Sequence, residues 1–346
     1  MHRVWGLLKI AGWLFVVIAV LLLIVIPIVV TLAIRFSEGG LPSSTYKLLG
    51  YIEQSQRVLM QVFAGLWFFV LGSCFASFLN VVAWRMPRGK SILGSSHCPQ
   101  CDVRLSFRDN LPVVGWLRNH GTCSNCKMPI PPRYIWVEVI LGSIFLLLAV
   151  TTLCSGGITI PIHESFPGMG FDRVLFDPKW QLISLFAWQL LLVLFLYTLA
   201  LIELDTVPPP ISIFVCGLFV GIVGALILPV VHVVSFRWPF ATEFPLDRFS
   251  LEQALFIVFG LMAGTVIGLI GSRSRNEEND LQKHTLLWGF VLVGLFLGWQ
   301  SVLVIFGFFF LAQKFFSQKP SSALLAATVV HLLTWRWFDL LTITPN

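Results

Sequence analysis

The chain has 346 residues, of which 57% are hydrophobic and only 12% are charged. About a quarter of the residues in a soluble globular domain are charged, so this composition excludes one or two water-soluble domains, a disordered chain, a collagen-like chain and a small disulfide scaffold. The mean hydropathy of +0.86 is typical of a polytopic membrane protein. The net charge of +6 is therefore expected in cytoplasmic loops, and nucleic acid is not a predicted partner.

Nine stretches are predicted as membrane helices, because a span needs roughly 20 mostly apolar residues. These predicted spans lie at about 12–35, 61–84, 135–155, 180–202, 209–233, 251–271, 285–299, 300–316 and 322–341. A break is placed at Gly298-Trp299-Gln300 because the apolar run over 285–316 is too long for one helix. The first stretch is too long for a signal peptide and lacks a clear cleavage site, so we predict that it is a retained helix. The predicted fold is an all-α bundle of about nine membrane helices.

The lysine and arginine residues predict how these helices are oriented. The loop over 85–133 carries eight of them against two acidic residues: Arg85, Arg88, Lys90, Arg104, Arg108, Arg118, Lys127 and Arg133, with Asp102 and Asp109. This loop is therefore predicted to be cytoplasmic. With nine spans, the N-terminus is also predicted inside and the C-terminus outside.

Four of the seven cysteines form two Cys-x-x-Cys pairs in this loop, Cys98 with Cys101 and Cys123 with Cys126. Two such pairs offer four thiolates to one tetrahedral Zn²⁺. The loop has few large apolar residues for a core of its own, so metal binding would supply its folding energy. Disulfides are the alternative interpretation, but the cytoplasm is a reducing compartment. The sequence therefore predicts a structural zinc site.

A longer pattern surrounds the cysteines. It comprises Gly72-Ser73, then Ser77-Phe78-Leu79-Asn80-Val81-Val82-Ala83-Trp84-Arg85-Met86-Pro87, Ser96-His97-Cys98-Pro99-Gln100-Cys101, Arg108-Asp109-Asn110-Leu111-Pro112-Val113-Val114-Gly115-Trp116-Leu117, Gly121-Thr122-Cys123-Ser124-Asn125-Cys126 and Arg133-Tyr134 with Val137-Glu138. This pattern, continuous over about 72–141, closely resembles the amino-terminal part of bacterial prepilin peptidases, the type 4 prepilin leader peptidase/N-methyltransferases. The remaining spans are similar to that family in number and order, so that the helix at 12–35 is an addition.

The resemblance implies an integral inner-membrane aspartic endopeptidase. Such an enzyme removes the basic leader from type IV prepilins or type II secretion pseudopilins at the cytoplasmic face, and then methylates the new N-terminus with S-adenosylmethionine. It also implies three regions: an extra helix and outer loop at 1–60, a prepilin-peptidase-like amino-terminal region with the zinc loop at 61–141, and a helical peptidase-like region at 142–346.

The counterparts of the family's two catalytic aspartates are altered. The segment Leu201–Ser212 resembles the first acidic motif, with Glu203 at the aspartate position and Asp205 two residues later. The longer glutamate side chain moves the carboxylate by about 1 Å, which costs on the order of 10²-fold in rate at a preorganised site. The segment ending in Gly298-Trp299-Gln300 resembles the stretch after the family's Gly-x-Gly-Asp motif, and counting back gives Leu286.

The acidic residues nearest to Leu286 are Glu277, Glu278 and Asp280. Asp280 can be the second catalytic acid only if the helix register differs from that of the family. The alternative is that the segment from Arg273 to Lys283 is a solvated charged loop.

Three further residues are candidates for substrate or cofactor binding: Asn80, Arg85 and Glu138. Glu138 is also explained as an acid near a helix N-terminus, and Arg85 as a residue that reaches the membrane interface. Two functional hypotheses remain. Either the chain is a divergent peptidase that uses Glu203 or Asp205 with Asp280, or it is a catalytically inactive family member acting as a membrane binding or assembly factor.

Overall fold

The computed structural model describes residues 43–98, 100–161, 170–171, 174, 177–228, 248–273, 280–316 and 319–338. Within these residues the chain is helical and contains no strand beyond two isolated bridges. The all-α fold class is therefore confirmed for the part of the chain that is described. The predicted first helix at 12–35 lies outside it.

Eight α-helices follow one another along these residues. They are α1 (Ser43–Arg85), α2 (Val114–Arg118), α3 (Arg133–Leu148), α4 (Trp180–Leu204), α5 (Ile211–Ile227), α6 (Arg248–Arg273), α7 (Asp280–Gln313) and α8 (Pro320–Phe338). A 3₁₀ turn (Met86–Arg88) follows α1, and a π-helical segment (Ala149–Cys154) continues α3. The loop over 85–133, which carries the cysteines, connects α1 to α3.

Small residues allow α1 and α3 to pack closely. A Cβ atom on Gly72 would lie 2.8 Å from the backbone oxygen of Leu141, and one on Gly142 would lie 2.8 Å from the backbone oxygen of Phe69. Ser73 between them donates a hydrogen bond across the interface to the backbone oxygen of Glu138 (3.0 Å). Close backbone approach at small residues is the usual way in which membrane helices associate, and it fixes where the cysteine loop leaves and rejoins the bundle.

The helix α7 reverses direction at Gly298. The φ and ψ angles of this glycine are 83° and 170°, outside the helical region and accessible mainly to glycine. The ring of Phe290 lies 5.9 Å from that of Phe306 and 5.4 Å from that of Phe309. In a straight helix, residues 290 and 306 would be about 24 Å apart, so the two arms form a hairpin. The break predicted at Gly298-Trp299-Gln300 is confirmed.

The nine predicted spans are not confirmed. Among the described residues, five helices are long and apolar enough to cross a membrane: Gln54–Arg88, Arg133–Cys154, Trp180–Leu204, Gln253–Arg273 and Gln282–Gln313. The helix α5 is apolar but shorter, and each arm of the α7 hairpin is shorter than the roughly 20 residues of a full span. The structure thus supports a polytopic membrane protein with fewer assigned spans than the sequence predicts.

Candidate functional site: a four-cysteine centre and an acidic loop

The two cysteine pairs meet at one point. The Sγ atoms of Cys98, Cys101, Cys123 and Cys126 all lie within 4.8 Å of one another, and those of Cys98 and Cys126 are 3.8 Å apart. Four sulfurs bound to one Zn²⁺ at about 2.3 Å would be separated by about 3.8 Å. All seven cysteines are free thiols. The four side chains therefore have the identity and the spacing of a tetrahedral metal site.

The two cysteine turns are built in the same way. In the first, the N–H of Asp102 donates to the backbone oxygen of Cys98 (2.9 Å); in the second, the N–H of Lys127 donates to that of Cys123 (3.1 Å). Asp102 and Lys127 both have a positive φ, 52° and 60°. An antiparallel bridge flanks each turn, His97 with Arg104 and Thr122 with Pro129. Because the two turns share this geometry, each turn places its two thiols on the same side.

The thiols differ in how readily they ionise. A hydrogen bond from the backbone of Val103, aided by Asn125, lowers the pKa of Cys101 to about 6. The pKa of Cys126 is raised to about 11 although a backbone hydrogen bond from Met128 opposes this, because burial and the three neighbouring thiols disfavour another thiolate. Four thiolates in so small a volume require a cation, and the donor set fits zinc.

Asp109 links the two halves of the cysteine loop. Its carboxylate accepts hydrogen bonds from the Ser106 hydroxyl (2.7 Å), the Asn119 amide (2.7 Å) and the Ser124 hydroxyl (3.2 Å). These hydrogen bonds, with that of Ser106 the strongest, hold the pKa of Asp109 below its usual value. Because Ser124 lies between the cysteines of the second pair, Asp109 holds that turn in place.

Two of the predicted binding residues attach the loop to the membrane helices. Arg85, the last residue of α1, donates to the backbone oxygens of Ser91 (3.4 Å) and Ser95 (3.2 Å). Glu138, which is buried in α3, accepts the N–H of Val113 through Oε2 at 2.6 Å. Val113 has a φ of 61°, which a β-branched residue rarely adopts. Both side chains therefore have a positioning role that the sequence did not reveal.

The third predicted binding residue, Asn80, lies half-buried in α1, between the packed glycine Gly72 and the loop-holding Arg85. The structure places it on the helix that carries Arg85 and does not link it to the cysteine centre. Its role in binding remains a prediction.

Glu203 lies buried at the junction of α4 and α8. Only 1% of it is exposed, and its Oε2 accepts the N–H of Ser321 at 2.9 Å. Its backbone oxygen accepts a hydrogen bond from Lys319 (3.2 Å). Ser321 is in the first turn of α8, where a carboxylate is favoured by the helix dipole. Glu203 therefore caps α8 and fixes the end of α4 to it.

Asp205 points to a different helix. It is the C-cap of α4 and forms an ion pair with Arg133, the first residue of α3. Its side chain is 11% exposed and that of Arg133 is 36% exposed. The two acids of the first motif are thus held by separate partners, Glu203 by α8 and Asp205 by the residue at which the cysteine loop ends.

The position that the family's spacing predicts for the second acid, residue 286, is occupied by an apolar side chain. Leu286 is fully buried in the first arm of α7 and packs near Gly271 of α6. Thr285 beside it is also buried. This position therefore offers no acid.

The beginning of α7 nevertheless lies at the same end of the bundle as Glu203. The helix α4 and the first arm of α7 are antiparallel, because Trp188 stacks on Phe296 (4.4 Å) and Leu196 lies against Gly289. Continuing this register brings the first turn of α7 to the end of α4. Asp280 is the first residue of α7; its side chain, like residues 277 and 278, is outside the described part.

Comparison with known proteins gives one family model and several relatives. Residues 70–152 match the Bacterial Peptidase A24 N-terminal domain. The chain is 30% identical over 280 residues to a prepilin leader peptidase/N-methyltransferase of Myxococcus xanthus, covering 68% of this chain and 75% of that protein.

Other relatives match over shorter stretches. A prepilin leader peptidase/N-methyltransferase of Klebsiella pneumoniae is 38% identical over 90 residues, 24% of this chain and 40% of that protein. A type 4 prepilin-like proteins leader peptide-processing enzyme of Escherichia coli is 36% identical over 104 residues, 25% of this chain and 39% of that protein. No solved structure matches the chain.

Proposed function

Because the chain belongs to the prepilin leader peptidase/N-methyltransferase family, we propose that it binds type IV prepilins or type II secretion pseudopilins in the bacterial inner membrane without cleaving them. The observation that carries this proposal is the environment of Glu203. It is 1% exposed and holds the N-terminus of α8 through the N–H of Ser321. The cysteine loop, in this proposal, faces the cytoplasm.

Peptide hydrolysis by an aspartic protease needs two carboxylates that share one proton and activate a water molecule between them. Glu203 is engaged in a helix-capping contact, and Asp205 is engaged with Arg133. The second position, Leu286, is apolar and buried. The three side chains therefore do not supply the chemistry that the family's cleavage step requires.

For the cysteine centre we propose a structural Zn²⁺ held by Cys98, Cys101, Cys123 and Cys126. The support is that the four sulfurs lie within 4.8 Å of one another, the distance range of a zinc tetrahedron. Zinc would neutralise the four thiolates and fix the loop, which has little apolar core. Asp109, Arg85 and Glu138 orient the loop around and beside this centre.

The name of the relatives also suggests S-adenosylmethionine as a ligand. Among the described residues, the side chains do not form an identifiable site for it. Equilibrium binding of S-adenosylmethionine to the purified full chain would decide whether this ligand belongs to the protein.

A second candidate function, leader peptide cleavage, is favoured by one observation. The register of α4 against α7 brings Asp280, by its backbone position, to the end of the bundle that holds Glu203. In this alternative Glu203 or Asp205 is one acid, Asp280 is the other, and water is the nucleophile.

The test is a cleavage and binding assay with the purified full chain in detergent. A prepilin is incubated with the chain, and in parallel with the Myxococcus xanthus relative as a positive control. We expect the relative to release the leader, and this chain to bind the prepilin in a pull-down but leave its mass unchanged.

Two results would contradict the proposal. Cleavage that is lost in Glu203→Gln or Asp280→Asn would show that the chain is a peptidase. Absence of both cleavage and prepilin binding would remove prepilins as its partner.

A further inference from the structure

The end of α1 carries a cluster of cations held against a tryptophan. The guanidinium of Arg88 lies 5.1 Å from the ring centroid of Trp84, and the ammonium of Lys90 lies 4.6 Å from it. Arg88 also donates to the backbone oxygen of Trp84 (2.7 Å). Cation–π contacts of this kind fix the position of a charge while leaving its other donors available.

The backbone after α1 explains this geometry. Gly89 has a φ of 64°, and the N–H of Lys90 donates to the backbone oxygen of Arg85 at 3.0 Å. The chain therefore turns back on the helix end, and Lys90 comes to lie over Trp84. The turn needs a residue that accepts a left-handed conformation, which glycine does without strain.

The segment that follows stays close to the helix end. Arg85 holds the backbone oxygens of Ser91 and Ser95. Between them Leu93 is 83% exposed, and Ile92 is 38% exposed. Arg85 holds this segment at the end of a membrane-spanning helix. The hydrocarbon region of the membrane therefore lies beside the exposed Leu93 side chain.

We propose that residues 84–93 form an anionic-lipid binding surface, in which Arg88 and Lys90 contact lipid phosphate groups and Leu93 enters the acyl-chain boundary. We call this the juxtamembrane patch. Tryptophan is enriched at the membrane interface, and Trp84 here is 46% exposed at the end of the span Gln54–Arg88. The chemistry recognised is a phosphate monoanion next to an apolar surface.

Two observations favour lipid over a protein as the occupant. The patch is continuous with a membrane span, so lipid headgroups lie next to it. It contains three cations, Arg85, Arg88 and Lys90, and no acidic residue between positions 84 and 93. Such a surface attracts anionic headgroups, each cation within a Debye length adding to the attraction.

The experiment is a titration of the purified full chain with phosphatidylglycerol or phosphatidylcholine, followed by native mass spectrometry. We expect tighter binding of phosphatidylglycerol. The double variant Arg88→Gln/Lys90→Gln should weaken phosphatidylglycerol binding by about 30-fold, since each cation near a membrane surface contributes about 1 kcal/mol. Arg118→Gln, which removes an exposed charge from the same loop at the end of α2, should change the affinity by less than about twofold.

A second measurement locates the site. Hydrogen exchange of the full chain in nanodiscs should be slower at residues 86–96 with phosphatidylglycerol than with phosphatidylcholine alone, and the difference should disappear in the double variant. Equal affinity for the two lipids would overturn the proposal. An effect of Arg118→Gln comparable with that of the double variant would also overturn it, as would displacement of bound phosphatidylglycerol by a prepilin, which would indicate a protein site.

Discussion

The cysteine loop (residues 85–133) and the acidic loop (residues 203–210, from the last turn of α4 to the start of α5) use their polar side chains differently. In the loop over 85–133, hydrogen-bonded turns bring four thiols together, and their spacing fits a metal ion. In the acidic loop, Glu203 and Asp205 contact different helices: Glu203 accepts a hydrogen bond from Ser321, and Asp205 pairs with Arg133. The cysteine loop thus brings four thiols together, whereas the carboxylates of the acidic loop stabilise contacts between helices.

The difference supports the proposal that this chain carries only part of the family's chemistry. The four-thiol cluster depends on two short-range turns, and both turns are formed. Peptide cleavage would need a second acid from another helix, and the position that the family's spacing predicts for it holds Leu286. The following variants test how far this contrast holds, beginning with the largest expected effect.

Removal of one cysteine ligand should destroy the cysteine centre. We expect purified wild-type chain to contain stoichiometric zinc, and Cys98→Ser to lose most of it, because zinc binding supplies on the order of 10 kcal/mol to small zinc sites. Metal content by elemental mass spectrometry is the measurement. Cys216→Ser, at an exposed free thiol of α5, is the control and should keep its zinc. A wild-type chain that contains no zinc would contradict the proposal that the four cysteines form a zinc site.

Loss of the Glu203 carboxylate should destabilise the helix junction. Glu203→Ala leaves the buried N–H of Ser321 without its acceptor and is expected to cost about 1–3 kcal/mol, measured as a lower thermal unfolding midpoint in detergent. Glu203→Gln keeps an acceptor oxygen and should lose less. An unchanged midpoint in Glu203→Ala would mean that this side chain does not fasten α4 to α8.

The ion pair between Arg133 and Asp205 should give a smaller effect. In a double-mutant cycle with Arg133→Met and Asp205→Asn, we expect a coupling free energy of roughly 0.5–1 kcal/mol, limited by the exposure of the arginine. Thermal unfolding of the four proteins provides the value. Additive single effects would show that the acidic loop and the start of α3 are energetically independent.

The smallest effect is expected at Asp109 and depends on pH. Its pKa is lowered in the folded state, so its contribution to stability is present above the ordinary aspartate pKa of about 3.9 and is lost as the pH falls through the folded-state value. Asp109→Asn should therefore destabilise the loop at pH 7 and differ less from wild type at pH 3. Hydrogen exchange over 100–130 measures this. A destabilisation that is equal at both pH values would rule out the charge as its cause.

The features that the sequence predicts correctly are local. The Cys-x-x-Cys spacing predicts the meeting of four thiols, and the length of the apolar run predicts the break at Gly298. The first prediction depends on turn geometry and the second on the length of a helix, and both properties are set within a short stretch of sequence. The relation to prepilin peptidases was also visible in such a stretch, over 72–141.

The features that the sequence does not predict are long-range contacts of single polar groups. Glu203 binds Ser321, 118 residues away, and Glu138 binds Val113 across 25 residues. The hydrophobic periodicity of a sequence does not specify which hydrogen-bond donor a buried carboxylate will contact. The predicted number of spans is not confirmed, because composition alone does not distinguish a hairpin with short arms from two full membrane helices.

The most direct test of the contrast is the intact mass of a prepilin co-produced with the full chain in a bacterium that lacks its own prepilin peptidase. We predict that the prepilin keeps its leader and its full mass, while the Myxococcus xanthus relative in the same cells shortens it. A prepilin shortened by the wild-type chain, and not by Glu203→Gln, would show that the acidic loop is catalytic and would contradict its assignment as a helix fastening.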